Sequence, residues 1–121
     1  MLTCVDFDEE GWCYTGGENG MIQIWGNENV VSRFIKVHTG SQVTAIHVEG
    51  KRLISASKDN KLAIMSIAAG ATIKFEKLID LAIITVSQNL PLAFAKSIDC
   101  FNDNLLVGLR NGTIVEIKNG E

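Results

Sequence analysis

Residues 37–65 read VHTGSQVTAIHVEGKRLISASKDNKLAIM. His38 stands at the start, three short apolar runs follow (VTAIHV, LISAS and LAIM), and Asp59 sits in the turn before the last of them. Val43, Ile46 and Val48 mark a first strand. Leu53 to Ser57 and Leu62 to Ile67 make two more, joined at Lys58-Asp59-Asn60, where Asp and Asn favour a tight turn. A charged turn at Glu49 to Arg52 separates the first strand from the second, and a fourth strand is expected in Ala71 to Leu78.

The same order recurs upstream and downstream. Leu2, Val5 and Phe7 stand 41 residues before Val43, Ile46 and Val48. Trp12 to Thr15 begins a second run, GGENG at Gly16 to Gly20 forms a hairpin turn, and MIQIW at Met21 to Trp25 alternates as a half-buried strand does. Val30 to Val37 is a looser, more polar run, expected at an exposed edge. Downstream, Ile98 and Cys100 match Ile46 and Val48, Leu105 to Leu109 matches the second strand, and Thr113 to Ile117 matches the third, all at an offset of 52. The longer offset places extra residues between Ala68 and Ala95. Within them, Glu76 to Phe94 reads either as an outer strand with a loop or as a short helix over Lys77 to Val86. Pro91 argues against a central strand there.

Units of ~40–45 residues, each with four short strands and a polar turn at a fixed place, predict blades of an all-β propeller. The expected division is blade one at 1–37, blade two at 38–80, an insertion or loop at 81–95 and an incomplete blade three at 96–121. About three blades fall short of the ~4–8 that close a propeller. A fragment of a larger domain is expected, or copies that associate through their open blade faces.

The chain resembles the WD-repeat family. Its pattern of a GH pair, apolar strand, small-residue strand, Asp turn and terminal Trp-Asp reads here as Val37-His38, VTAIHV, LISAS, Asp59 and LAIM, with Met65 where Trp would stand. Unit one keeps Thr15 and Trp25 but has Asn19 for the Asp and Gly26 after the Trp. Unit three has Val107, Asn111 and Ile117 at these positions and no GH pair. The resemblance implies a structural hydrogen-bond network of His38, Ser55 and Asp59 in unit two and of Thr15, Asn19 and Trp25 in unit one. A direct His38–Asp59 bond is expected, with Ser55 on the far side of the ring and Met65 as core filler.

Composition agrees with a globular chain. The 121 residues are 46% hydrophobic, carry a net charge of −3 and include 11 glycines but one proline; mean hydropathy is +0.17. The acidic balance gives no reason to expect nucleic acid or an anionic membrane as partner. Cys4, Cys13 and Cys100 form no CxxC pair, which favours a reducing, cytoplasmic setting over a disulfide framework. MLTCVDFDEEG lacks the basic and apolar regions of a signal peptide. The run Leu78 to Val86 is too short to span a bilayer, which needs ~20 residues.

Motifs of chemistry are sparse. His38, Ser55 and Asp59 lack a nucleophile elbow or oxyanion element and fit the structural network better than catalysis. Cys4, Cys13, His47 and Cys100 lack the spacing of zinc ligands, so no metal or other cofactor is expected. GGENG lies between two strands and lacks the ending of a phosphate loop. Asp6, His47 and Asp99 share one position in the three first strands, between apolar neighbours, and alternation is expected to turn them away from the core face. Lys51, Arg52, Lys58 and Lys61, extended by Arg110, read either as a patch for an acidic partner or as solvated turns.

The expected function is therefore a non-catalytic protein–protein scaffold. SIDCFNDNLLVGLRNGTIVEI, Ser97 to Ile117, is similar to blades of the echinoderm microtubule-associated protein-like family. Leu105-Leu106-Val107-Gly108, Arg110-Asn111-Gly112 and Ile114 match its pattern, while Leu109 departs from the usual Thr. That resemblance implies tubulin or the microtubule as partner. A WD-repeat adaptor of another complex is the alternative reading, and a propeller-based enzyme a further one.

Overall fold

Eleven strands, one 3-10 turn (Ala69–Ala71) and one α-helix follow one another among the described residues of the computed structural model, which describes residues 2–26, 32–101 and 103–118. Strands β1 (Leu2–Phe7), β2 (Cys13–Gly17), β3 (Met21–Trp25) and β4 (Ser32–Lys36) form one sheet in that order. β5 (Val43–Glu49), β6 (Arg52–Ser57), β7 (Lys61–Ala68) and β8 (Thr72–Asp80) form the second. After helix α1 (Leu81–Ser87), β9 (Ala95–Phe101), β10 (Asn104–Leu109) and β11 (Ile114–Ile117) form a three-stranded sheet. All neighbours are antiparallel. Of the polar run expected from Val30, residues 30 and 31 lie outside the described residues.

Both readings of Glu76 to Phe94 are partly realised. β8 runs on to Asp80, and a helix shorter than the Lys77–Val86 alternative follows. Asp80 caps it, accepting from the Ala82 N–H at 2.9 Å, because an extended residue with a short carboxylate satisfies a first-turn donor.

The inner strands β1, β5 and β9 lie beside one another, so each sheet packs a front face on the rear of the next. Tyr14, Ile22 and Ile24 of blade one meet Leu53, Ala63, Met65 and Ile67 of blade two. Ala45, Ile54, Ala56, Leu62 and Ile64 on the other face of blade two meet Leu105, Val107, Val115 and Ile117 of blade three. Met65 is thus core filler, as its place in the repeat requires.

A polar tie joins the first pair. The Thr3 hydroxyl donates to the Val43 carbonyl, and Asp6 Oδ2 accepts from the Val48 N–H at 2.7 Å. Thr44 holds the position of Thr3 in blade two, but its hydroxyl is buried without a protein partner. Thr44→Val is therefore expected to leave stability unchanged or raise it by up to about 1 kcal/mol, whereas Thr3→Val should cost about 1 kcal/mol. Urea denaturation of the two variants reads the contrast directly.

Candidate functional site

One turn is built three times. Between the second and third strands of each blade, an Asx side chain accepts from the backbone two residues on: Asn19 from Met21 at 3.1 Å, Asp59 from Lys61 at 3.2 Å and Asn111 from Thr113 at 3.1 Å. The next residue closes the turn at positive φ: Gly20 at 83°, Asn60 at 64° and Gly112 at 85°. Its carbonyl then receives the chain as it leaves for the next blade. His38 N–H donates to Gly20 at 2.9 Å, and Leu81 N–H donates to Asn60 at 2.8 Å.

The network residues lie around these turns. In blade one, Trp25 Nε1 donates to Thr15 Oγ1 at 3.1 Å. In blade two, His38 Nε2 is 2.8 Å from Ser55 Oγ, and both side chains are buried. A direct His38–Asp59 bond is not among those of the described residues; Asp59 instead takes the Ser57 hydroxyl and the Lys61 N–H. The reason is local. Both bonds fall on Oδ1, which ties the carboxylate to its own turn, and Asp59 acts on the ring through its charge. Burial lowers the His38 pKa from its ordinary value, with the Asp59 charge opposing that shift.

The basic residues divide. Lys51 and Arg52 lie at one end of β6 and Lys58 at the other, about 17–20 Å apart for a six-residue strand. Lys61 is bound to Asp80 at 2.7 Å, which holds that carboxyl below its usual pKa. Lys58 and Arg110, by contrast, come together from adjacent blades. Each places its charge 5.6 Å from the centre of the Phe94 ring. The backbone explains the convergence: Lys58 N–H donates to Gln42 and Arg110 N–H to Phe94, the same bond in successive blades. Both cations are exposed, and the ring between them is half-buried. Phe94 lies in the stretch expected as an insertion or loop, yet it holds the Gln42 position at the offset of 52; what the repeat does not supply is the aromatic ring.

Asp6, His47 and Asp99 are not turned outward separately. Because the inner strands lie side by side, residues of one parity become neighbours: His47 Nδ1 is 3.8 Å from Asp6, and Nε2 is 3.8 Å from Asp99 and 3.3 Å from Glu49. His47, Glu49 and Cys100 also place one donor atom each within 4.8 Å of one another, the group among the described residues whose donors could meet on a cation. Burial, with the charges of Glu49 and Asp99, raises the Cys100 pKa.

No protein-family model matches the chain. It is 35% identical over 115 residues to the ciliary WD repeat-containing protein ctxp80 of Euplotoides octocarinatus, covering 95% of the chain and 14% of that protein. The chain is a partial β-propeller, and its blades are similar to WD repeats. This propeller is also similar in fold to two computationally designed proteins of known crystal structure, at 11% identity in each case. Against Ika4 the TM-score is 0.52, covering 98% of the chain and 91% of the design. Against Ika8 it is 0.53, covering 97% and 45%. No helix among the described residues is long and apolar enough to cross a membrane.

Proposed function

We propose that this propeller segment is a non-catalytic docking scaffold that presents Lys58, Phe94 and Arg110 to an acidic protein surface, with tubulin as the partner. The observation that carries the reading is the shared ring: two exposed cations from different blades, each 5.6 Å from the centre of the Phe94 ring. A cation over an aromatic ring contributes roughly 0.5–1 kcal/mol at an exposed site, which biases each side chain towards the ring before a partner arrives. Aromatic and arginine side chains dominate the energetics of protein interfaces, and a desolvated carboxylate between two fixed cations gains more than one beside a mobile lysine. The similarity to a ciliary WD-repeat protein supports a cytoskeletal partner and location, as does the resemblance of Ser97 to Ile117 to microtubule-associated blades.

His38, Ser55 and Asp59, with Thr15, Asn19 and Trp25, then serve to fasten one blade to the next. The same reading has copies of the chain associating through their open faces.

Co-sedimentation with microtubules tests the partner. Lys58→Glu with Arg110→Glu is expected to weaken binding about tenfold or more, equivalent to about 1.4 kcal/mol, with added salt weakening the unaltered chain in the same direction. Binding unchanged by the double reversal would refute the proposed surface. Binding to a different acidic protein, lost on the same reversal, would keep the surface and replace the partner.

A further inference from the structure

We propose that the front of blade three receives the rear of blade one from a second copy, head to tail, with Leu2 of one chain seated over Gly108 of the other. The inference rests on the open-face reading above and specifies its geometry.

The two interfaces inside the chain set the rule. Gly16 on the front of blade one has no room for a side chain, because a Cβ there would lie 2.5 Å from Val43 Cγ1 and 2.7 Å from Cys4 Sγ. Val43 opens the inner strand of the next blade. The equivalent pair one blade on is Ala56 with Ala95, both buried in the core between blades two and three. A glycine thus faces valine and an alanine faces alanine, so the summed size is roughly conserved. Gly108 holds this position in blade three, where an added Cβ would meet only Ser97 of its own sheet. Its occupant must be as large as Val43 or larger. Leu2 stands at the Val43 position of blade one and is 57% exposed.

The surroundings agree. Leu106 and Ile114 flank Gly108 and are 38% and 69% exposed, although Tyr14 and Ile22, their equivalents in blade one, are fully buried. These residues, with His47, Ser97 and Asp99, bound a groove of about 480 Å³. Asp99 repeats the local bond of Asp6, its Oδ1 accepting from the following N–H at 2.8 Å, as Asp6 accepts from Phe7. Asp6 uses its other oxygen to hold the next inner strand. On the rear of blade one, Val5 and Phe7 are exposed where Ile46 and Val48 are half-buried. Each open surface is one half of an interface the chain already makes twice. Such contacts are heterologous, so they build rings or open strings according to whether the rotation closes.

Light scattering of the 121-residue chain across a dilution series tests this. The unaltered chain is expected to exceed 13.2 kDa as concentration rises. Leu2→Asp and Gly108→Leu should each raise the concentration needed for association by roughly tenfold or more, since a hot-spot contact is lost or blocked. Ile114→Asp, at an exposed position, gives the same reading should Gly108→Leu disturb its own sheet. Leu2→Asp keeps an intact blade three front and Ile114→Asp an intact blade one rear, so their mixture should restore a species of twice the monomer mass that neither forms alone. A monomer at every concentration would overturn the proposal. So would an oligomer indifferent to these variants, or a mixture that fails to pair. Microtubule binding is read separately, so neither outcome bears on the Lys58–Arg110 surface.

Discussion

Gly20→Ala is expected to cost about 3–5 kcal/mol, a loss large enough to leave much of this small chain unfolded. Two effects add. The residue sits at a φ of 83°, where an L side chain costs roughly 1–2 kcal/mol. The greater part is steric: a Cβ at Gly20 would fall inside the carbonyl of His38 and close to that of Ser41. The 38–41 turn would have to move, and with it the His38 N–H bond to Gly20 and the Ser41 N–H bond to His38. Gly112 supplies the control. It has the same place in the repeat and a φ of 85°, yet nothing lies within 4 Å of an added Cβ. Gly112→Ala should therefore cost only the conformational term, about 1–2 kcal/mol. Chemical denaturation of the pair separates strain from crowding; equal losses would mean that the approach to His38 carries no energy.

Loss of the His38 ring is the second large effect. His38→Ala is expected to destabilise by about 2–4 kcal/mol, because it empties a buried site and leaves the Ser55 hydroxyl unpartnered. Ser55→Ala should cost about 1–3 kcal/mol by orphaning the ring nitrogen. The double variant should cost less than the sum, with a coupling of about 1 kcal/mol. The ring also makes the fold sensitive to acid. Its folded pKa is lowered by burial, so between the unfolded value and the folded one the unfolded chain binds the additional proton. Its contribution is complete above about pH 6.5 and falls as pH drops towards the folded pKa, by at most about 1.4 kcal/mol per pH unit. In His38→Ala that component of the slope should vanish. A slope identical to that of the unaltered chain would show that His38 is not its source.

Repetition made the sheets legible. Offsets of 41 and 52 residues aligned inner strands that lie side by side in the fold, and the polar residue before each third strand marked the turn that Asn19, Asp59 and Asn111 close. Thr15 with Trp25 and His38 with Ser55 came from the resemblance to WD repeats rather than from the offsets. What escaped the sequence lies between blades. Pleat parity put Asp6, His47 and Asp99 on one side of their strands, but only the packing of successive inner strands shows that this side is a shared one. Asp59 was assigned to His38 because the carboxylate's obligations to Ser57 and Lys61 belong to turn geometry. Phe94 repeats the backbone place of Gln42, but its ring has no counterpart in blade two, so the pairing of Lys58 with Arg110 around it shows only in the fold.

Arg33 gives the arrangement a mechanical side. Its guanidinium lies over Trp12 at 5.5 Å and donates to the carbonyls of Gly70 and Ala71 at 2.6 and 3.0 Å, far from the inner strands. Gln88 does the same between the next pair, its Nε2 donating to the Glu116 carbonyl at 2.8 Å. The sheets already meet at their inner strands and across their packed faces, and these bonds add a third join. Stays at the opposite margin fix the opening angle, so the segment behaves as a stiff wedge, and whatever it docks meets a surface of set pitch.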